Sequence, residues 1–186
     1  MQIVLIRHGK PQSASNDRMC AAGFVAWVKR YAFSKVASTS RPQEDLSSRF
    51  SEHFCISSDL IRAIDSAKIA FDHEPAVTEK LLREMDIPRY KIAGKLRAFT
   101  WVYLNRALWM LGKKGPFESY SEARERSRNA AVLLQQYATE KQSIVVFGHG
   151  YMNLHLRGVL KKRGWKVEEK SNDYWGVSVL NKATEN

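Results

Sequence analysis

The sequence has only two cysteines, and it has no apolar run long enough to cross a membrane. Cys20 and Cys55 lie in apolar or amphipathic stretches, which predicts reduced, buried thiols in a cytoplasmic protein rather than a disulfide framework. The N-terminal apolar run, Ile3 to Ile6, is too short for a signal peptide or a transmembrane helix. We therefore expect a cytoplasmic protein that makes no contact with a membrane.

Acidic residues are scarce relative to basic ones. The chain has 19 Asp plus Glu against 30 Lys plus Arg, which gives a formal net charge of +11. Such a surface attracts anions, so phosphorylated metabolites, nucleic acids and acidic protein surfaces are all candidate partners. Internal repeats and low-complexity tracts are also absent. At 186 residues and 44% hydrophobic composition, we expect one domain over residues 1–186.

Two apolar runs each lead into a histidine beside a glycine. Ile3 to Ile6 is followed by Arg7-His8-Gly9, and Ser143 to Phe147 is followed by Gly148-His149-Gly150. Runs of this kind are typical of strands that are buried on both faces of a parallel sheet. Ligands bind at the carboxyl ends of such strands, so the pattern places both histidines at a candidate ligand site.

A further buried strand is predicted at His53 to Ser57, and it leads directly into a predicted helix. Ser58-Asp59 supplies N-cap residues, and the inner face of the helix is predicted as Leu60, Ile64, Ala67 and Phe71. Arg62 falls in the first turn, where free N–H groups and the helix dipole favour an anion. Arg62 is therefore a candidate phosphate ligand.

The rest of the chain alternates between helical and extended patterns, which is typical of an α/β layered sheet. The predicted segments are an amphipathic helix at 19–33, a surface connection with one helical turn at 34–51, a strand at Val77, a helix at 95–111, a helix at 151–160 and an alternating strand at 175–181. In addition, the capping box Ser119/Glu122 begins a long helix, whose inner face is predicted as Ala123, Ala130, Leu134 and Tyr137.

Five short motifs follow one another along the chain: Arg7-His8-Gly9, Ser57-Ser58-x-x-x-Arg62-Ala63, Leu82-Arg83-Glu84, Glu118-Ser119 and Gly148-His149-Gly150. As a set they resemble the histidine phosphatase superfamily, the phosphoglycerate-mutase-like proteins. The resemblance implies a three-layer α/β/α sandwich with a mostly parallel central sheet. It also implies a phosphatase of the histidine acid type that needs no cofactor or metal.

The resemblance also implies roles for individual residues. His8 would be the nucleophile that becomes phosphohistidine, while Arg7, Arg62 and His149 would bind the phosphoryl oxygens. These residue types suit the reaction, because phosphoryl transfer depends on positioning and on stabilising the charge of the equatorial oxygens. Glu84 maps to the acidic residue of the family and would serve as general acid and base, with Asp86 as the competing carboxylate.

The expected substrate is a small phosphate monoester. The chain is shorter than the cofactor-dependent phosphoglycerate mutases, which favours transfer of the phosphoryl group to water. A mutase-type phosphotransferase and a protein phosphohistidine phosphatase remain alternatives. Metal-dependent hydrolysis is not favoured, because no H-E-x-x-H or paired-cysteine spacing is present.

The segment 87–116 differs in character, because aromatic and basic residues are interleaved along it. The resemblance places it over the active site as a helical lid that sets substrate preference. We expect Lys91 and Lys95, with Arg89 and Arg97, to bind a second anionic group of the substrate. The aromatic candidates for the same role are Trp101, Tyr103 and Trp109.

A different class of function is binding of nucleic acid, another polyanion or a protein partner. The basic stretch Lys161 to Lys166 and the lid segment would supply the contacts. No RNP, KH or zinc-finger pattern accompanies them, so nucleic-acid binding is the less favoured hypothesis.

Overall fold

The computed structural model describes residues 1–183. Its strands are β1 (Gln2–Arg7), β2 (Arg18–Cys20), β3 (Phe54–Ser58), β4 (Val77–Glu79), β5 (Lys95–Arg97), β6 (Ser143–Gly148), β7 (Lys166–Glu169) and β8 (Val177–Asn181). Its helices are α1 (Ala21–Ala32), α2 (Leu46–Phe50), α3 (Ile61–Phe71), α4 (Ala98–Met110), α5 (Tyr120–Lys141) and α6 (Gly150–Lys162), with a single 3-10 turn at Lys80–Leu82.

The central element is a six-stranded sheet with the order β4-β3-β6-β1-β8-β7. Its first four strands run parallel, whereas β8 and β7 are antiparallel to their neighbours. The register pairs Arg7 with Gly148 and Ser57 with Phe147. The residues that follow β1, β3 and β6 therefore meet at one edge of the sheet.

Alternate residues of β1 face opposite layers. Ile3 and Leu5 pack with residues of α5 and α6, whereas Val4 and Ile6 pack with residues of α2 and α3. All four side chains are fully buried, which explains why the run contains no polar residue. The predicted three-layer α/β/α sandwich with a mostly parallel sheet is thus confirmed.

Helices α1 and α4 form a third apolar cluster outside the sandwich. Phe24 stacks on Trp27 and on Trp101 across the two helices. The Trp101 indole N–H donates to the Met19 carbonyl at 2.9 Å, and β2 pairs with β5 directly before α4. The helix predicted at 95–111 therefore begins only at Ala98, because Lys95–Arg97 is used as a strand.

The inner face of α3 differs from the prediction. Its fully buried apolar residues are Ala63 and Ala67, whereas Leu60, Ile64 and Phe71 are only partly buried. Small side chains let the helix lie close to the sheet, and the same face then carries Arg62 inward, where it is 2% exposed. Apolar periodicity thus predicted the burial of Ala67 correctly, but it missed Ala63 and Arg62.

Other local expectations were met in part. The capping box of α5 is present, since Ser119 Oγ accepts from the Glu122 N–H and Glu122 Oε2 accepts from the Ser119 N–H. Cys55 is buried as expected, but Cys20 is exposed because it lies where the short β2 meets α1. Edge strand β7 was not predicted, since its Lys and Glu residues give no apolar signal.

Within residues 1–183, no helix is long and apolar enough to span a membrane.

Candidate active site

Two histidines meet where β1 and β6 end. His8 follows Arg7 directly and His149 follows Gly148, so the paired register of these strands brings the rings to a centroid separation of 5.1 Å. His8 is 1% exposed and His149 is fully buried. The predicted convergence of the two histidines at one sheet edge is what the structure shows.

The ring of His8 is oriented by its own neighbour. Its Nδ1 lies 2.7 Å from the Gly9 carbonyl oxygen, which only accepts, so Nδ1 carries the ring hydrogen. The lone pair is therefore on Nε2, which accepts from Arg62 Nε at 3.2 Å. Burial, and then the charge of Arg62, hold the pKa of His8 well below its ordinary value of 6.5. His8 is thus neutral at physiological pH, as a nucleophile has to be.

Arg62 links this histidine to the end of α1. Its Nη1 donates to the carbonyl oxygens of Ala32 at 3.1 Å and Tyr31 at 3.4 Å. These carbonyls belong to the last turn of a helix, where the dipole favours a cation, and the Tyr31 oxygen also accepts from the Ser34 N–H at 3.3 Å. The guanidinium is therefore held in one orientation beside His8 before any ligand arrives.

The ring of His149 is held in place by Ser58. Ser58 Oγ accepts from the Leu60 N–H at 3.3 Å and lies 2.9 Å from His149 Nε2. When Ser58 Oγ donates its own hydrogen to Nε2, the ring hydrogen of His149 is on Nδ1. That Nδ1 is buried and has no protein partner among the described residues. An unpaired buried donor of this kind is a candidate site for an anion.

Arg7 supplies a second unpaired donor. Its Nη1 donates to the Asn172 carbonyl at 2.6 Å, its guanidinium lies 4.1 Å from the Tyr174 ring centroid, and its buried Nε has no partner among residues 1–183. A Cβ on Gly150 would come within 3.0 Å of this Nε. Glycine in the first position of α6 therefore lets the helix start come close to Arg7.

The two candidate carboxylates lie in different places. Glu84 lines the cavity described below, and its carboxylate accepts from the backbone N–H groups of Met85, Tyr151 and Met152. Asp86 is exposed and accepts from the Glu118 N–H instead. Oε1 of Glu84 accepts two of these hydrogen bonds and Oε2 accepts one. Oε2 therefore has more free acceptor sites.

A cavity of about 530 Å³ opens above these residues. Of the site residues, Arg7 and Glu84 line it, whereas His8, Arg62 and His149 do not, and residues of α1, α4 and α6 form much of its wall. The predicted lid segment thus contributes α4 to the cavity.

The lid cations are not where the sequence placed them. Lys91 and Lys95 are exposed and do not line the cavity, because the second lies on the β5 ribbon strand and the first precedes it in an exposed loop. Of the three aromatic residues predicted for this role, Trp101 and Trp109 are buried in the core, whereas Tyr103 lines the cavity, as does Phe99 of the same segment.

Sequence reasoning did not single out Arg106. This α4 residue is 8% exposed, donates from Nη2 to the Met85 carbonyl at 3.0 Å, and lies 4.0 Å from the Tyr151 ring centroid. Arg106 follows Val102 by four positions and Tyr103 by three, so the three residues share one face of a helix. This spacing was the signal that the sequence offered. The part of the chain that the structure describes holds no group of three His, Cys, Asp or Glu side chains suited to a metal ion.

Comparison with known proteins gives a family and a set of similar folds. The family model for the histidine phosphatase superfamily (branch 1) matches residues 40–184, a range that contains Arg62, Glu84 and His149 but begins after Arg7-His8-Gly9. No sequence match is found among curated proteins.

Solved structures share the fold at low sequence identity. A phosphoserine phosphatase mutant from Entamoeba histolytica in complex with phosphoserine is 17% identical, with a TM-score of 0.59 over 96% of this chain and 89% of that one. A mycobacterial glucosyl-3-phosphoglycerate phosphatase with inorganic phosphate is 18% identical, with a TM-score of 0.56 over 87% and 79%. The alpha-ribazole phosphatase of Shigella flexneri is 15% identical, with a TM-score of 0.53 over 100% of both chains.

Proposed function

This chain belongs to the histidine phosphatase superfamily (branch 1), and we propose that it hydrolyses a phosphate monoester of a small molecule through a phosphohistidine at His8. The observation that carries the proposal is the state of the His8 ring. Its Nδ1 hydrogen is committed to Gly9, and its Nε2 lone pair lies beside Arg62 in a buried site. A neutral imidazole in that setting is a nucleophile directed at an anion-binding position.

In the first step, Arg62 Nε turns from His8 Nε2 to a phosphoryl oxygen, and the released Nε2 lone pair forms a bond to phosphorus while the ester P–O bond breaks. The equatorial oxygens lie among Arg62, Arg7 Nε and His149 Nδ1, which compensate their charge and gain the partners that the buried donors lack. Glu84 gives a proton to the leaving oxygen. In the second step, water attacks phosphorus, the N–P bond breaks, and Glu84 takes the proton of the water, so that phosphate and free His8 result.

A phosphatase panel tests the proposal directly. We expect the purified protein to hydrolyse p-nitrophenyl phosphate in the presence of EDTA, because His8, Arg7 and Arg62 supply the nucleophile and the charge stabilisation. Vanadate, which adopts the geometry of phosphorus in transfer, should inhibit competitively. Loss of turnover on chelation with recovery on adding a divalent ion would refute the metal-free route. Inactivity on a broad panel would leave the polyanion-binding or partner-binding hypothesis in its place.

The choice between the two carboxylates gives a second test. We expect Glu84→Gln to lower kcat/KM for an alkyl phosphate by about a hundredfold, because the alkoxide leaves poorly without a proton. The loss should be much smaller for p-nitrophenyl phosphate, whose phenolate leaves unprotonated. Asp86→Asn is the matched control, since it also replaces a carboxylate by an amide, two positions further along the chain. It should leave both rates near the wild-type values. The reverse pattern would assign the proton transfer to Asp86.

A further inference from the structure

Helix α4 carries two apolar stripes instead of one. Ala98, Trp101, Asn105 and Trp109 are buried against the body of the protein. A second set lines the cavity at spacings of 3, 4, 8 and 11 residues from its first member, and it consists of Phe99, Val102, Tyr103, Ala107 and Met110, with the buried Arg106 between them. A helix that only packs on a core needs the first stripe alone.

The second stripe is open to solvent. Tyr103 is 74% exposed and Met110 is 46% exposed, and Leu154 of α6, which lines the same cavity, is 46% exposed. Single exposed apolar side chains are ordinary, but several around one concavity mark a binding site. These three side chains are therefore candidate ligand contacts.

The charged groups of the cavity lie together at its phosphate end. Arg7 and Glu84 belong to the site itself, and Arg106 is tied to the Met85 carbonyl and the Tyr151 ring next to Glu84. The remaining wall is formed by uncharged side chains, including Trp27, Phe99, Val102, Tyr103, Met110 and Leu154. The cavity thus has an ionic end and an apolar end.

We propose that the apolar end binds the alcohol part of the substrate, and that the substrate is the phosphate monoester of a flat, apolar alcohol. The proposal rests on the phosphatase function and adds the substrate class to it. The occupant follows from continuity, because the apolar wall lines the same cavity as Arg7 and Glu84. A volume of about 530 Å³ exceeds what a phosphate fills and leaves room for a ring system.

A series of primary alcohol phosphates tests the proposal. Ethyl, benzyl and 2-naphthylmethyl phosphate have leaving groups of comparable acidity, so differences between them report contacts to the alcohol. We expect kcat/KM to rise by about tenfold at each step of this series, as burial of each added ring removes apolar surface from water. The p-nitrophenyl ester serves as the reference for phosphatase activity as such.

Variants of the wall locate the effect. Tyr103→Ala should lower kcat/KM for 2-naphthylmethyl phosphate by about five- to tenfold and change ethyl phosphate by less than about twofold. Ala107→Trp, which fills the cavity from an exposed helix position, should give the same selective loss. Phe33→Ala is the matched control, because Phe33 is an aromatic residue that is 84% exposed and lies outside the cavity wall. It should change neither rate.

Three results would contradict the proposal, and each can be told from the others. Equal kcat/KM values along the series, with p-nitrophenyl phosphate hydrolysed, would overturn the substrate class and leave the phosphatase function standing. Absence of turnover on every ester would overturn both. A change of oligomeric state in Tyr103→Ala, measured by light scattering and without loss of ester preference, would make the stripe an interface between copies of this chain and would also overturn the proposal.

Discussion

Replacing His8 with asparagine is expected to reduce turnover by about 10⁴-fold or more, because the nucleophile of the proposed reaction is removed. Asparagine retains an amide N–H that can still donate to the Gly9 carbonyl, so the local backbone keeps its hydrogen bond. Acid-labile, base-stable phosphate on the protein should disappear together with activity. Both are measured in rapid-quench reactions with labelled substrate.

Phosphate binding separates loss of chemistry from loss of the site. Arg7, Arg62 and His149 remain in His8→Asn, so calorimetry should still detect inorganic phosphate with an affinity within a few-fold of wild type. His155→Asn is the matched control, since His155 is a partly buried histidine that hydrogen-bonds to the Tyr151 carbonyl, packs on the Tyr120 and Tyr151 rings and lies outside the cavity wall. It should remain active. Quenched protein that carries phosphate on His149 and none on His8 would reverse the two roles.

Replacing His149 is expected to cause the second largest loss of kcat. A comparison of glutamine and asparagine at this position shows which ring nitrogen contributes to the reaction. Glutamine places its amide where Nε2 stands and can keep the contact to Ser58, but it offers nothing at the Nδ1 position. We expect His149→Gln to lower kcat by about 10²–10³-fold, as removal of one oxyanion donor does in other enzymes. Asparagine places an N–H near the Nδ1 position, so His149→Asn should retain about tenfold more activity than the glutamine variant.

Some phosphate on His8 should survive in both His149 variants, because the nucleophile is intact. The thermal unfolding midpoints of the two variants should be compared first, since His149 is fully buried. Equal losses in the glutamine and asparagine variants at equal stability would show that the Nδ1 donor has no part in the reaction. His149 would then be a packing residue beside His8.

Local patterns of residues account for much of the fold. Ile3 to Ile6 and Ile144 to Phe147 have no polar residue because both faces of their strands are covered, and this pattern is visible in sequence. The capping box at Ser119 and Glu122 is a local signal of the same kind. The order of the motifs was enough to identify the family, which the profile match over residues 40–184 confirms.

Other features depended on contacts between distant segments. Burial of Arg62 on the inner face of α3 requires small neighbours on the helix and the carbonyls of Tyr31 and Ala32 at the end of α1, which lie about 30 residues earlier in the chain. The sequence placed the lid cations over the site, whereas pairing of β5 with β2 directs that segment elsewhere. Neither contact leaves a periodic signal in the residues concerned.

The sequence by itself determined the sheet strands that carry the histidines, the family and the residue types available for phosphoryl chemistry. Only the tertiary structure decided the tautomer of His8, the position of Glu84 rather than Asp86 at the cavity, and the apolar character of the lid wall. The reason is physical. Strand burial and helix capping are set by neighbours within a few residues, whereas a tautomer or a cavity wall is set by whichever distant group packs against it.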